Sequence, residues 1–174
     1  MIGSDEITLR SIEPEDIKFL TSWNYDATIN QFFPPKFPNS RLEQEEWFRK
    51  QLGPDKKKLI AVDLKNEKPF ALIGFMSWDQ LHRHCEIGIT VGDKDYWGQI
   101  HVKKAFSAAL AYGFDNMNLQ LIHLRVFETN ERAIRFFEKF GFQKEGVLRN
   151  RIFKEGVYHG WLSMSLTQDE LVTP

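Results

Sequence analysis

Three basic side chains, His101, Lys103 and Lys104, cluster where an apolar-periodic segment begins. A helix starting there would hold both lysines in its first turn, where cations oppose the macrodipole by about 0.3–1 kcal/mol each. A bound anion, phosphate above all, would relieve that opposition; two solvated surface lysines are the alternative. Arg132 and Arg135 stand near the start of a second helical segment, opened by Asn130, whose side chain has the chemistry of an N-cap. Aromatic rings gather at Phe32, Phe33, Phe37 and Trp47, in and after the run Phe33-Pro34-Pro35-Lys36-Phe37-Pro38. They read either as a lid over a ligand with an apolar or ring-shaped portion or as packing of that loop onto a sheet. Glu43, Glu45 and Glu46 could meet a polycation, although a row of acids on an amphipathic helix is ordinarily its solvated face. A single cysteine, Cys85, excludes an internal disulfide framework and a multi-thiolate metal site, and the five histidines have no metal-ligand spacing.

The elements that must position these residues follow from periodicity. Ile7, Leu9 and Ser11 predict an opening strand, and Pro14 the start of a helix with Ile17, Phe19, Leu20 and Trp23 as its apolar stripe. Ser40 and Glu43 have capping-box spacing before a helix lined by Leu42, Trp47, Phe48 and Leu52 that ends at Gly53-Pro54. Strands are expected over 59–64, 70–78 and 84–91, then a helix from about His101 to Met117, a strand over 121–127 and a helix from Asn130. Gly141 supplies a left-handed C-cap before Phe142 opens another strand. The tail reads as a hairpin, 146–153 and 158–166, turning at Lys154-Glu155-Gly156. Strand, helix, strand near the middle requires a parallel pair inside an otherwise antiparallel sheet, an α+β arrangement.

The chain has 174 residues, suiting one domain, and 42% apolar with 27% charged residues excludes disorder. A formal charge of −1 gives no electrostatic footprint for nucleic acid. No apolar run approaches the roughly 18 residues that span a bilayer, and residues 1–10 lack the apolar region of a secretory signal. The expectation is a cytoplasmic domain acting on neither nucleic acid nor membrane.

At Asp95-Tyr96-Trp97-Gly98-Gln99, and at Asn130-Glu131-Arg132-Ala133-Ile134-Arg135-Phe136-Phe137-Glu138-Lys139-Phe140-Gly141-Phe142, the chain resembles the GNAT N-acetyltransferases. It looks most like the branch of spermidine and ribosomal-protein N-terminal acetyltransferases, from Thr8-Leu9-Arg10 to the Gly146–Tyr158 hairpin. The resemblance implies one domain over 1–174, with a mixed, mostly antiparallel sheet of about seven strands, splayed at its central parallel pair, and about four helices. It implies acetyl-CoA as cosubstrate, lying in the split between the strands at His84 and Leu121. The acceptor would be a primary amine: a protein N-terminus, a polyamine, an amino sugar or another small amine. Dimers are common in that branch.

Residue roles follow from the same resemblance. Glu86 would serve as base, directly or through water, because an amine of lysine type has a pKa of about 10.4 and must lose a proton before attack. Ile89, Thr90 and Val91 would form the strand edge meeting the cofactor and donating to the developing oxyanion. Gln99, Ile100, His101, Val102, Lys103 and Lys104 would be the phosphate loop, Asn130 and Phe137 the pantetheine side. Phe32, Phe33 and Trp47 would cover the acceptor. Two departures stand out. Ile100 and Val102 replace the small residues of the family loop and should crowd it. Phe137 replaces a tyrosine that protonates the departing thiolate, leaving Tyr158 as a stand-in acid. Together they motivate an alternative: a degenerate relative without turnover, acting as a ligand-binding or protein-interaction module.

Overall fold

Alternating apolar residues pair the first half of the chain into an antiparallel meander. The computed structural model describes residues 2–35, 40–51, 53 and 57–174. Strands β1 (Ile2–Gly3), β2 (Ile7–Ser11), β3 (Lys57–Asp63), β4 (Lys68–Asp79) and β5 (His84–Val91) follow one another across the sheet. Helix α4 (Ile100–Asp115) then crosses over to β6 (Leu121–Phe127), which pairs parallel to β5. Beyond it lie β8 (Val157–Thr167) and, at the edge, β7 (Gln143–Lys154), giving the order β1-β2-β3-β4-β5-β6-β8-β7. The sheet is mixed and mostly antiparallel, as expected, with one strand more than the sequence suggested because the two-residue β1 pairs at the edge. The strand at Phe142 and the first arm of the tail hairpin are one element, β7, bent where its register shifts around Gly146 and Asn150.

The remaining helices are α1 (Ile17–Tyr25), α2 (Ala27–Asn30), α3 (Arg41–Lys50) and α5 (Glu131–Glu138). Five stand where about four were expected, because Asp26 stops α1 and caps α2 by accepting from the N–H groups of Thr28 and Ile29. Pro14 opens a short 3-10 turn and α1 follows it. The capping box is present: the Ser40 N–H donates to Glu43 at 2.6 Å, and the Glu43 N–H to the Ser40 hydroxyl at 3.2 Å. Gly141 (φ 96°) ends the turn after α5, and a Cβ there would meet the Glu170 carbonyl oxygen at 2.1 Å. Phe37, Leu52 and Pro54, assigned from the sequence to the lid and the end of α3, lie outside the described residues.

Two apolar layers sandwich the sheet. On one face Phe106 of α4, fully buried, meets Phe136, Phe137, Phe140 and Phe142 at centroid separations of 5.1–6.2 Å. Each fully buried ring contributes about 1.5–3 kcal/mol. On the other face Leu20, Trp23 and Ile29 pack on Ile60 and Val62 of β3. The feature that matters for function is the parallel pair. It holds only at His84↔Leu121, Cys85↔Ile122 and Glu86↔His123. Beyond those rungs β5 and β6 part, leaving one edge of residues 87–91 unpaired with β6.

Candidate active site

The separated edge of β5 opens into a cleft of about 440 Å³ between the two layers. Ile89, Thr90 and Val91 line one wall, Asn130, Ala133 and Phe137 the opposite one, and Trp97, Gly98, Gln99, Val102 and Lys103 the end. Trp97 fastens the mouth: its indole Nε1–H donates to the Val91 carbonyl at 3.0 Å, and the Arg132 guanidinium sits 4.7 Å from its ring centroid. The Val91 carbonyl therefore points into the split. A residue's N–H and C=O share a side in a strand and alternate along it, so the N–H groups of Val91 and Ile89 face the split as well.

Helix α4 begins at the cleft with Gln99 as its N-cap, and no side chain caps it. The Gln99 and Val102 N–H groups find carbonyls, on Tyr96 and Gln99. Those of Gly98, Ile100 and His101 find none among the described residues. Gly98 has φ 81°, which favours glycine, and nothing stands within 4 Å of where a Cβ would lie. The crowding expected of Ile100 and Val102 does not arise, because Ile100 turns outward at 46% exposure and Val102 inserts into the core beside the cleft. The loop stays open above its amides. Lys103, Arg132, Arg135 and Lys139 line this cleft, and among the described residues no Asp or Glu side chain does.

Several sequence candidates converge here: Phe32, Phe33, Ile89, Thr90, Val91, Gln99, Val102, Lys103, Asn130 and Phe137. Asn130 is at the same time an N-cap, its Oδ1 accepting from the Ala133 N–H at 3.1 Å. Phe32 packs edge-on against Phe127 at 6.4 Å, so the lid rests on the far wall of the split. Others are drawn elsewhere. Ile100 faces solvent. His101 stands edge-on to Tyr96 and Phe70, at 5.5 and 6.4 Å, with its Nδ1 buried and without a partner among the described residues. Lys104 is held by Glu6, which the ion pair keeps below the usual carboxylate range. Trp47 packs in the α1–α3 layer and lines a separate chamber there.

Glu86 also lies outside this lining. Its carboxylate makes a forked ion pair with Arg125, Nε to Oε1 at 3.0 Å and Nη2 to Oε2 at 2.8 Å, on the last paired rung before the split. Beside it His123 is pushed below the usual histidine range by burial, with the Glu86 charge acting the other way. Phe137 is buried in the aromatic cluster and carries no hydroxyl. Tyr158 packs at a tilt against Phe153 at the hairpin tip, 62% exposed and outside the cleft lining. Trp97 and Arg132 form the clamp that sequence reasoning left unassembled; the signal was an indole just before a helix start and an arginine just after another. Lys139, Gln31 and Thr28 of the lining had no sequence signal.

A narrow cleft with apolar walls, a cationic end and unpaired amides at a helix start suits a long ligand ending in phosphates. The fold and this cleft together define an acyl-CoA-dependent N-acyltransferase. The acetyltransferase (GNAT) domain model matches residues 6–143, and the chain belongs to that family. It is 30% identical over 168 residues to the uncharacterized N-acetyltransferase YokL of the Bacillus subtilis SPbeta prophage, covering 95% of this chain and 92% of that one. Against the spermidine N(1)-acetyltransferase of Escherichia coli it is 25% identical over 170 residues, covering 98% and 90%. The crystal structure of spermidine N-acetyltransferase from Vibrio cholerae with CoA and spermine shares the fold at TM-score 0.86, with 24% identity over 96% of this chain and 98% of that one. The protein is an acetyl-CoA-dependent N-acetyltransferase; no described helix is long and apolar enough to cross a membrane.

Proposed function

We propose that this enzyme transfers acetyl directly to the primary amine of a small-molecule acceptor. The observation that carries the reading is the free edge of β5, which separates the cationic cleft from a second chamber and contributes Thr90 to both. Acetyl-CoA supplies the activated thioester carbonyl. Lys103, Arg132, Arg135 and Lys139, with the amides at Gly98, Ile100 and His101, hold its phosphates. Asn130 and Phe137 flank the pantetheine, and the N–H groups of Ile89 and Val91 receive charge developing on the carbonyl oxygen. The amine nitrogen forms the new C–N bond as the C–S bond breaks; its proton leaves through water and the thiolate takes one up. Thiols have a pKa near 8.5, so the thiolate departs tolerably at neutral pH without Tyr-type acid help from Phe137. An acyl-enzyme on cysteine is disfavoured because Cys85 is buried in the core. The names of the E. coli and V. cholerae proteins support a small amine as acceptor. Glu86 positions the strands by bracing the last rung with Arg125.

The test is amine-dependent release of CoA thiol, with the acetylated product identified by mass spectrometry. Turnover requiring both substrates is expected; thiol release that ignores the amine, or none across an amine panel, would overturn the reading. Glu86→Gln should lower turnover while leaving the pH–rate profile in place. Loss of its acid limb would instead make Glu86 the base.

A further inference from the structure

Behind Thr90, on the sheet face covered by α1 and α3, lies a chamber of about 410 Å³. The indoles of Trp23 and Trp47 and the half-buried Leu72 and Met76 give it apolar walls. Its polar groups include the amides of Gln44 and Gln51, each with one atom engaged: Gln44 Oε1 accepts from the Thr21 hydroxyl at 2.5 Å and Gln51 Nε2 donates to the Trp47 carbonyl at 3.0 Å. Among the described residues its only charged lining side chain is Lys58, whose ammonium lies across Gly74. No Asp or Glu side chain among the described residues lines the chamber or the cleft.

That composition bears on the acceptor in two ways. A polyamine brings two or more ammonium groups, and among the described residues lining the chamber none offers a carboxylate to meet them. An acceptor with one amine and a bulky apolar body would fill the chamber without that demand. The second point concerns the proton. Among the described residues no carboxylate, imidazole or phenol lines either cavity, so none of them stands as a base in contact with the amine. An alkylamine of pKa about 10.4 is about 0.04% neutral at pH 7, whereas an α-amine of pKa about 7.8 is about 14% neutral, roughly 350-fold more. A site so lined selects for the weaker base.

We infer that the acceptor is an α-amine bearing a bulky apolar or aromatic side chain, which the chamber of Trp23 and Trp47 receives while the amine reaches the acetyl group at Thr90. This rests on the direct-transfer reading above and names its acceptor class. The bonds made and broken are those of that transfer, with the α-ammonium proton already in solvent when the neutral amine binds.

The experiment compares kcat/KM at about pH 7, with saturating acetyl-CoA, for tryptophanamide, the tripeptide Trp-Gly-Gly, tryptamine and spermidine. Tryptophanamide and tryptamine share the ring and differ in amine basicity. The α-amines should exceed tryptamine by at least about tenfold and spermidine by more, and tryptamine should close the gap as pH rises, its neutral fraction growing about tenfold per unit. Preference for the tripeptide over the amide would identify a peptide N-terminus, and the reverse a free amino-acid derivative; both sustain the inference. Trp47→Ala should raise KM for tryptophanamide at least about fivefold with KM for acetyl-CoA unchanged. Spermidine as the best acceptor, or a Trp47→Ala KM equal to wild type, would overturn the acceptor assignment and leave N-acetylation standing. Failure with all four amines would overturn both.

Discussion

Cys85 and Glu86 are adjacent on β5 and meet opposite environments, because successive strand residues face opposite sides of a sheet. Glu86 turns toward Arg125, while Cys85 is fully buried among the core side chains beneath α4. Burial pushes the Cys85 thiol up to about 12, with the Glu86 charge adding to the shift. The folded thiol therefore stays protonated where an unfolded one ionises. A raised thiol pKa favours the folded state below the unfolded value, and that contribution is lost as pH rises through the window up to about 12. Folding stability should decline above about pH 9 at up to about 1.4 kcal/mol per unit from this group. Denaturant melts of wild type and Cys85→Ala at pH 7 and pH 10.5 check it, with a smaller alkaline loss expected in the variant. The same burial predicts that the native protein is not labelled by an aromatic disulfide reagent and that denaturant exposes one thiol. Rapid labelling of the folded chain would contradict the burial argument.

The lid is secured from the far end of the molecule. Lys154, where β7 turns into β8, donates from Nζ to the carbonyls of Asn30, Gln31 and Phe33 at 2.9, 2.8 and 3.1 Å. Those carbonyls end α2 and carry Gln31, Phe32 and Phe33 over the cleft. At its other end the lid is tied by Asp26, paired with Lys94 at 2.7 Å. Hydrogen bonds from a charged group contribute about 1.5–3 kcal/mol, so removing the ammonium should loosen this segment locally. Lys154→Met is expected to raise KM for acetyl-CoA roughly tenfold with a smaller change in kcat, and Lys154→Arg to recover part of the loss. Equal, unrescued losses in kcat and KM would mark a general packing defect instead. None of this was legible in the sequence, since Lys154 and the carbonyls it binds are more than 120 residues apart and a turn lysine is ordinarily solvated. What was legible has a local cause. Capping at Ser40 and Asn130, the stop at Gly141 and the forced parallel pair across α4 each depend on a few neighbouring residues. Glu86 had strand periodicity to place its face, yet its partner Arg125 lies on β6, and only pairing across the sheet reveals that the carboxylate is occupied. Ile100 and Val102 looked obstructive by type; the helix phase, starting at Ile100, sends one outward and the other into the core.

At the scale of the molecule, a formal charge of −1 conceals a strongly uneven distribution. Among the described residues four cations line one cleft without a carboxylate, while acids elsewhere in the chain balance the total. A polyanion entering that cleft is favoured by the local charges, and at about 0.1 M salt charges more than about 10 Å apart are largely screened. Because the cleft spans both layers of the fold, ligand held there ties β5 to α4 and α5 and stabilises the whole domain. Acetyl-CoA at about 100 times its Kd should add about 2.7 kcal/mol, which for a chain of this size raises Tm by roughly 5–10 °C. The phosphates carry the electrostatic share, so the shift should shrink as salt rises from about 0.05 to about 0.5 M. Acetyl-pantetheine, which has the same thioester and no phosphate, should give little shift at the same concentration. Scanning calorimetry with the two ligands separates the contributions. An equal rise from acetyl-pantetheine would mean that the apolar walls around Phe137 and Ile89, rather than Lys103, Arg132, Arg135 and Lys139, dominate binding.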